Sequence, residues 1–88
     1  MAHIVLIDNH IATQKACQKV FAGHTVSNAH TASLALEQVS EQRPDVVILE
    51  LALASHSGME FLYEFCTYED WQSVPVIIYS HVKLHDEV

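Results

Sequence analysis

Two uninterrupted apolar tetrads, Ile4-Val5-Leu6-Ile7 and Val46-Val47-Ile48-Leu49, each followed by an acidic residue, constrain this chain more than any other feature. A strand that reads as a continuous apolar run has no polar face to offer water. It is therefore buried on both sides, the condition met in a parallel sheet covered by helices. Parallel neighbours cannot be joined by a tight turn, so the residues between such strands must form crossovers, usually helical. Asp8 and Glu50 close the two runs. A carboxylate at the C-terminal end of a parallel strand stands where open α/β sheets bind their ligands.

The rest of the chain fits that scheme. After Asp8-Asn9-His10, the residues Ala12, Ala16, Cys17, Val20 and Phe21 recur at helical spacing until Gly23, which predicts an amphipathic first helix with a glycine stop. His24 to Ala29 reads as a short second strand. Thr31 is placed to cap a helix whose Ala32, Ala35, Leu36 and Val39 share one face, and Pro44 ends it. Asp45 to Glu50 is the third strand. Ser57-Gly58-Met59-Glu60 fits a capping box that opens a helix, with Phe61, Leu62, Phe65 and Cys66 available to its buried face. Beyond a loop holding Trp71, Val74 to Tyr79 is the fourth strand. Alternating strands and helices predict a single α/β domain over residues 1–88, built of right-handed βαβ units around a mainly parallel sheet. The sequence has no internal repeat, low-complexity tract or domain linker.

Composition narrows the function classes. Eleven Asp and Glu face four Lys and Arg, for a formal net charge of -7, and the four cations are scattered at Lys15, Lys19, Arg43 and Lys83. Phosphate backbones and anionic membranes reward clustered Lys and Arg, so neither nucleic acid nor a membrane is an expected partner. A domain of 88 residues buries only about 60–65% of the surface its unfolded chain exposes, which leaves a narrow stability margin. Met-Ala-His leads directly into a strand, without a basic n-region or long apolar stretch, so neither a signal peptide nor a membrane span is expected. Cys17 and Cys66 match neither redox nor zinc spacing and read as small buried hydrophobes in a reducing, cytoplasmic compartment.

The order of elements, with Asp8-Asn9 after the first strand, Glu50 after the third, Gly58 shortly beyond it and Ser80 after the fourth, resembles the receiver domain of two-component response regulators. The likeness runs through nearly the whole chain. It implies a flavodoxin-like, doubly wound parallel sheet, here truncated to about four strands in the order 2-1-3-4, with helices on both faces. In such receivers two acidic residues after the first strand hold Mg2+, an aspartate after the third strand accepts the phosphoryl group, and a Ser or Thr after the fourth senses it. A lysine after a fifth strand completes the pocket.

Carried over by resemblance, Asp8 corresponds to the first acidic position and Asn9 replaces the second. Glu50 replaces the phosphoacceptor, and Ser80 corresponds to the switch hydroxyl. The lysine has no counterpart before Val88, and Ala52-Leu53-Ala54-Ser55-His56-Ser57 lacks the proline usual after the acceptor. Asn9 offers Mg2+ a neutral carbonyl in place of a carboxylate, so any Mg2+ affinity is expected to be weak, and no other cofactor is expected. Glu50 carries one methylene more than aspartate, which displaces the carboxylate from the in-line geometry that phosphoryl transfer needs. The expectation is a pseudo-receiver, not an enzyme, that works by binding protein, with Glu50 either imitating the phosphorylated state or simply occupying a drifted pocket. Two alternatives stand beside it. One is an atypical receiver that still takes Mg2+ or phosphate at Asp8, Asn9 and Glu50; the other is a non-functional truncated product. Asp8 also resembles the nucleophile of aspartate phosphatases, but their pattern is Asp-x-Asp and this chain reads Asp8-Asn9-His10.

A sheet that ends with the fourth strand leaves an apolar edge. Val76 and Ile78 lie on one face of that strand, Ile77 and Tyr79 on the other, and no charge discourages pairing. A homodimer through this edge or the uncovered sheet face is expected, with residues 81–88 refolded into the contact and a signalling kinase or output protein as the other candidate partner. Of seven histidines, His81 and His85 are one helical turn apart, but no third ligand accompanies them, and no metal site is expected. His10, His56 and His81 fall near the strand ends, where exposed histidines can make a cleft pH-sensitive. Trp71 and Tyr68 read more simply as packing against the preceding helix than as a partner surface.

Overall fold

The computed structural model describes residues 1–50 and 57–79, without the side chains of Ser57 and Gly58. Its elements run β1 (His3–Ile7), α1 (Ile11–Val20), β2 (Thr25–Ala29), α2 (Ala32–Glu41), β3 (Val46–Glu50), α3 (Ser57–Cys66), a 3-10 turn (Glu69–Trp71) and β4 (Val76–Tyr79). All strand pairs are parallel and the sheet order is β2-β1-β3-β4. The chain steps from β1 to β2 in one direction and from β2 past β1 to β3 in the other. Right-handed crossovers therefore place α1 on one face and α2 and α3 on the opposite one. This is the doubly wound, flavodoxin-like architecture, and the expected strand order holds.

The main core lies on the α2 and α3 face. Val5, Ile7, Val47 and Leu49 meet Ala32, Ala35 and Val39 of α2, Phe61 and Phe65 of α3, and Val74. Thr31 caps α2, its side chain accepting from the Leu34 N–H at 3.2 Å. Phe65 stacks on Phe61 with centroids 5.1 Å apart and on Trp71 at 5.0 Å, so the aromatic loop packs on the helix end as its composition suggests. Tyr68 closes over Trp71 at 4.6 Å. Gly23, with φ of 96°, turns the chain after α1 in a region that favours glycine.

Several expectations need correction. No residue of α1 is fully buried: Ala12, Ala16 and Val20 are exposed, and Cys17 and Phe21 are half-buried. Helical spacing lines residues up on one face, but α1 lies beside β2 and no other described helix shares its side of the sheet. Burial on that face accordingly falls from Leu6, fully buried, through half-buried Ile48 to Ile77, 55% exposed. Cys66 is exposed, not buried, because Phe61 and Phe65 take the core-facing positions of α3. The second strand starts at Thr25 because the His24 N–H closes a turn onto the Phe21 carbonyl at 3.0 Å. The third starts at Val46, where Asp45 bonds across to His3 instead: its N–H reaches the His3 carbonyl at 2.8 Å and its Oδ2 accepts from the His3 N–H at 2.7 Å. The fourth starts at Val76, since Pro75 has no N–H to give the ladder and only its carbonyl takes part, accepting from Val47 at 3.0 Å.

Candidate functional site

The parallel register creates the site. Ile7 pairs with Leu49, so Asp8 and Glu50, one residue further along each strand, emerge side by side at the C-terminal edge of the sheet. Both side chains are fully buried. The Asp8 N–H continues the ladder to the Ala29 carbonyl at 3.0 Å, which fixes the residue's backbone at the point where β1 ends. Asp8 Oδ1 then accepts from the His10 N–H and lies against His10 Nδ1, both at 2.7 Å, folding the loop back over the carboxylate. Gln14 of α1 donates from Nε2 to the Asp8 carbonyl at 2.8 Å. From β4, the Tyr79 hydroxyl reaches Asp8 Oδ2.

Asp8, His10 and Glu50 thus each present a ligand-type atom, and these atoms lie within 4.8 Å of one another. Asn9, expected in the pocket, is exposed, with His10 instead turned onto Asp8. Ser80 lies outside the described residues, as do His56, residues 81–88 with His81 and His85, and the capping side chain of Ser57. On β4, Ile77 and Ile78 are exposed, while Val76 and Tyr79 are half-buried. Sequence reasoning placed His10 near this edge without joining it to Asp8, and assigned Tyr79 only to a sheet face. The signal for Tyr79 was topological: β4 pairs with β3 so that Tyr79 stands opposite Glu50.

The site's charge is felt nearby. The Cys17 thiol on α1 is pushed above its ordinary pKa, first by its partial burial and then by the negative charge of Asp8. Mg2+, which the family resemblance implies, fits this cluster poorly. It demands near-octahedral oxygen ligands, whereas the donors gathered here include an imidazole nitrogen. At the opposite end of the sheet, Arg43 donates to the Asp70 carbonyl at 3.0 Å and to Ser73 Oγ at 2.9 Å, lining an open groove with Val39, Tyr68 and Trp71. No helix among the described residues is long and apolar enough to cross a membrane.

Comparison with known proteins agrees with this architecture. The chain is 27% identical over 82 residues to the KDP operon transcriptional regulatory protein KdpE of Escherichia coli (strain K12). That alignment takes in 91% of this chain and 35% of KdpE, so the chain spans about a third of that relative. In fold it is similar to the Mn(2+)-bound form of response regulator Rcp1, with a TM-score of 0.82 and 22% identity over 99% of this chain and 69% of that one. The N-terminal domain of a response regulator receiver protein from Methanoculleus marisnigri JR1 superposes with a TM-score of 0.83 at 20% identity, covering 99% of this chain and 72% of that one. The family model for the response regulator receiver domain matches residues 4–88, and with a sheet of matching order and carboxylates at its C-terminal edge, this chain belongs to that family.

Proposed function

We propose that this receiver works as a phosphorylation-independent module that binds protein, with Glu50 standing where the family carries its phosphoacceptor aspartate. The observation that carries this reading is the fully buried Glu50 side chain, set against Asp8 and His10 at the sheet edge. An acceptor must meet the phosphoryl donor in line and with its developing charge offset by a cation. A longer carboxylate with no accessible surface meets the first condition poorly. The Tyr79 hydroxyl on Asp8 links the cleft to β4, the strand with the most exposed apolar surface.

The partner surface in this reading is β4. Ile77 and Ile78 expose 55% and 47% of their surface on a strand at the edge of the described sheet, and an apolar strand edge is a template for association. A second copy of this chain, meeting the same patch across a two-fold axis, hides both residues on each protomer. A signalling kinase or output protein is the other partner class. Free Cys17 and Cys66 suit action in the cytoplasm.

Intact-mass spectrometry after incubation with acetyl phosphate and Mg2+ tests the reading. The expected result is an unchanged mass. A stable added phosphoryl mass that Glu50→Gln abolishes would replace it with that of an atypical receiver taking phosphate in the Asp8, Asn9 and Glu50 cleft.

A further inference from the structure

We propose that Asp8, His10 and Glu50 form a site for a divalent transition-metal ion of the Zn2+ class, in place of the Mg2+ that the all-oxygen pocket of the family would take. The inference is independent of whether Glu50 accepts phosphate, since the donors are the same in either case.

Three features of the cleft support it. The first is spacing. Zn2+ sits about 2.0–2.2 Å from nitrogen and oxygen ligands, which puts tetrahedral donors roughly 3.4 Å apart. The ligand atoms of Asp8, His10 and Glu50 lie within 4.8 Å of one another, so side-chain adjustments of about an ångström close the site.

The second is preorganisation with access. Asp8 and Glu50 are fully buried and issue from paired strands, so their positions are set by the sheet. The His10 side chain is 48% exposed and joins the two buried carboxylates to the surface. The Tyr79 hydroxyl on Asp8 Oδ2 supplies an outer contact that orients a ligating carboxylate, and the Gln14 amide on the Asp8 backbone carbonyl holds the chain there.

The third is donor chemistry. One imidazole and two carboxylates give a mixed nitrogen and oxygen set with two negative charges, which cancels the charge of a divalent ion. Imidazole favours zinc and its transition-metal neighbours, whereas Mg2+ keeps to oxygen ligands and holds its waters. Three protein ligands leave a fourth tetrahedral position for water or for a ligand atom from a partner.

The test uses the whole chain, titrated by calorimetry with ZnCl2 and separately with MgCl2, with CoCl2 as a spectroscopic substitute. The expected outcome is one Zn2+ bound per chain in competition with Co2+, a weaker Mg2+ response, and a loss of at least about tenfold in Zn2+ affinity in His10→Ala. The double variant His81→Ala/His85→Ala keeps that affinity. Equal Zn2+ affinity in wild type and His10→Ala, or loss of binding only in the double variant, overturns the proposal. So does Mg2+ binding as tight as Zn2+ binding. Should His10→Ala misfold, paramagnetic broadening of wild-type amide signals by substoichiometric Co2+ decides the matter. Broadening centred on Asp8, His10 and Glu50 supports the site, and broadening centred on any other histidine sinks it.

Discussion

The Tyr79 hydroxyl hydrogen-bonds Asp8 Oδ2 across 71 positions of sequence, tying the end of β4 to the end of β1 over the intervening β3. Asp8 is fully buried, so this contact helps to compensate a carboxylate that has left water. Tyr79→Phe keeps the ring and removes only the hydroxyl. A hydrogen bond to a charged group contributes about 1.5–3 kcal/mol, and the half-buried position of Tyr79 favours the lower end. Urea denaturation should show a lower midpoint at unchanged slope; a variant as stable as wild type would mean that the contact adds nothing.

Ile77→Lys places a charge on the most exposed apolar residue of the edge strand. Ile77 contributes little to the monomer's core, so the variant should unfold within about 0.5 kcal/mol of wild type. Light scattering on a sizing column, over a range of concentrations, should show a wild-type dimer and a variant monomer. A wild-type monomer throughout would move the partner surface away from β4.

Cys17 and Cys66 should differ toward iodoacetamide. The thiolate is the reactive form, and burial together with the Asp8 charge raises the Cys17 pKa, so its thiolate fraction near pH 8 is reduced. Exposed Cys66 should be alkylated first, as peptide mapping of timed samples would reveal. Asp8→Asn removes the second cause and should speed labelling of Cys17. Because folding favours the neutral thiol, the associated stability is present below the ordinary cysteine range and is lost as pH rises through the raised value.

Phe65 is packed between Phe61 and Trp71 with 1% exposure, within the buried core cluster. Phe65→Ala should cost about 3–5 kcal/mol, a large part of the stability available to a domain of this size. The variant's thermal transition should broaden or disappear, and Trp71 fluorescence should report the loss of its stacking partner.

The parallel sheet was legible in the sequence because strands covered by helices read as unbroken apolar runs, while its order came from the family resemblance. Ile4 to Ile7 are buried throughout, whereas Val46 and Ile48 of the second run, on the side of the sheet where α1 lies beside β2, are half-buried. Thr31 was legible for a local reason: a cap bonds to an N–H three residues away. The α1 face was misjudged because periodicity records which residues align and not whether a neighbouring helix completes their burial. Strand starts were misplaced where one backbone N–H decides, at His24 by a turn and at Pro75 by its absence.

The site divides along the same line. Asp8 and Glu50 were identifiable because each terminates an apolar run, and a parallel sheet brings all such ends to one edge. That much follows from sequence alone, since the apolar runs and the helical stretches between them, which together imply parallel strands, are both read locally. Only the tertiary structure turned His10 onto Asp8, left Asn9 in solvent and carried the Tyr79 hydroxyl over β3 to the same carboxylate. Those outcomes depend on register between distant strands and on the path of one loop, and a change of one residue in either would send each side chain elsewhere.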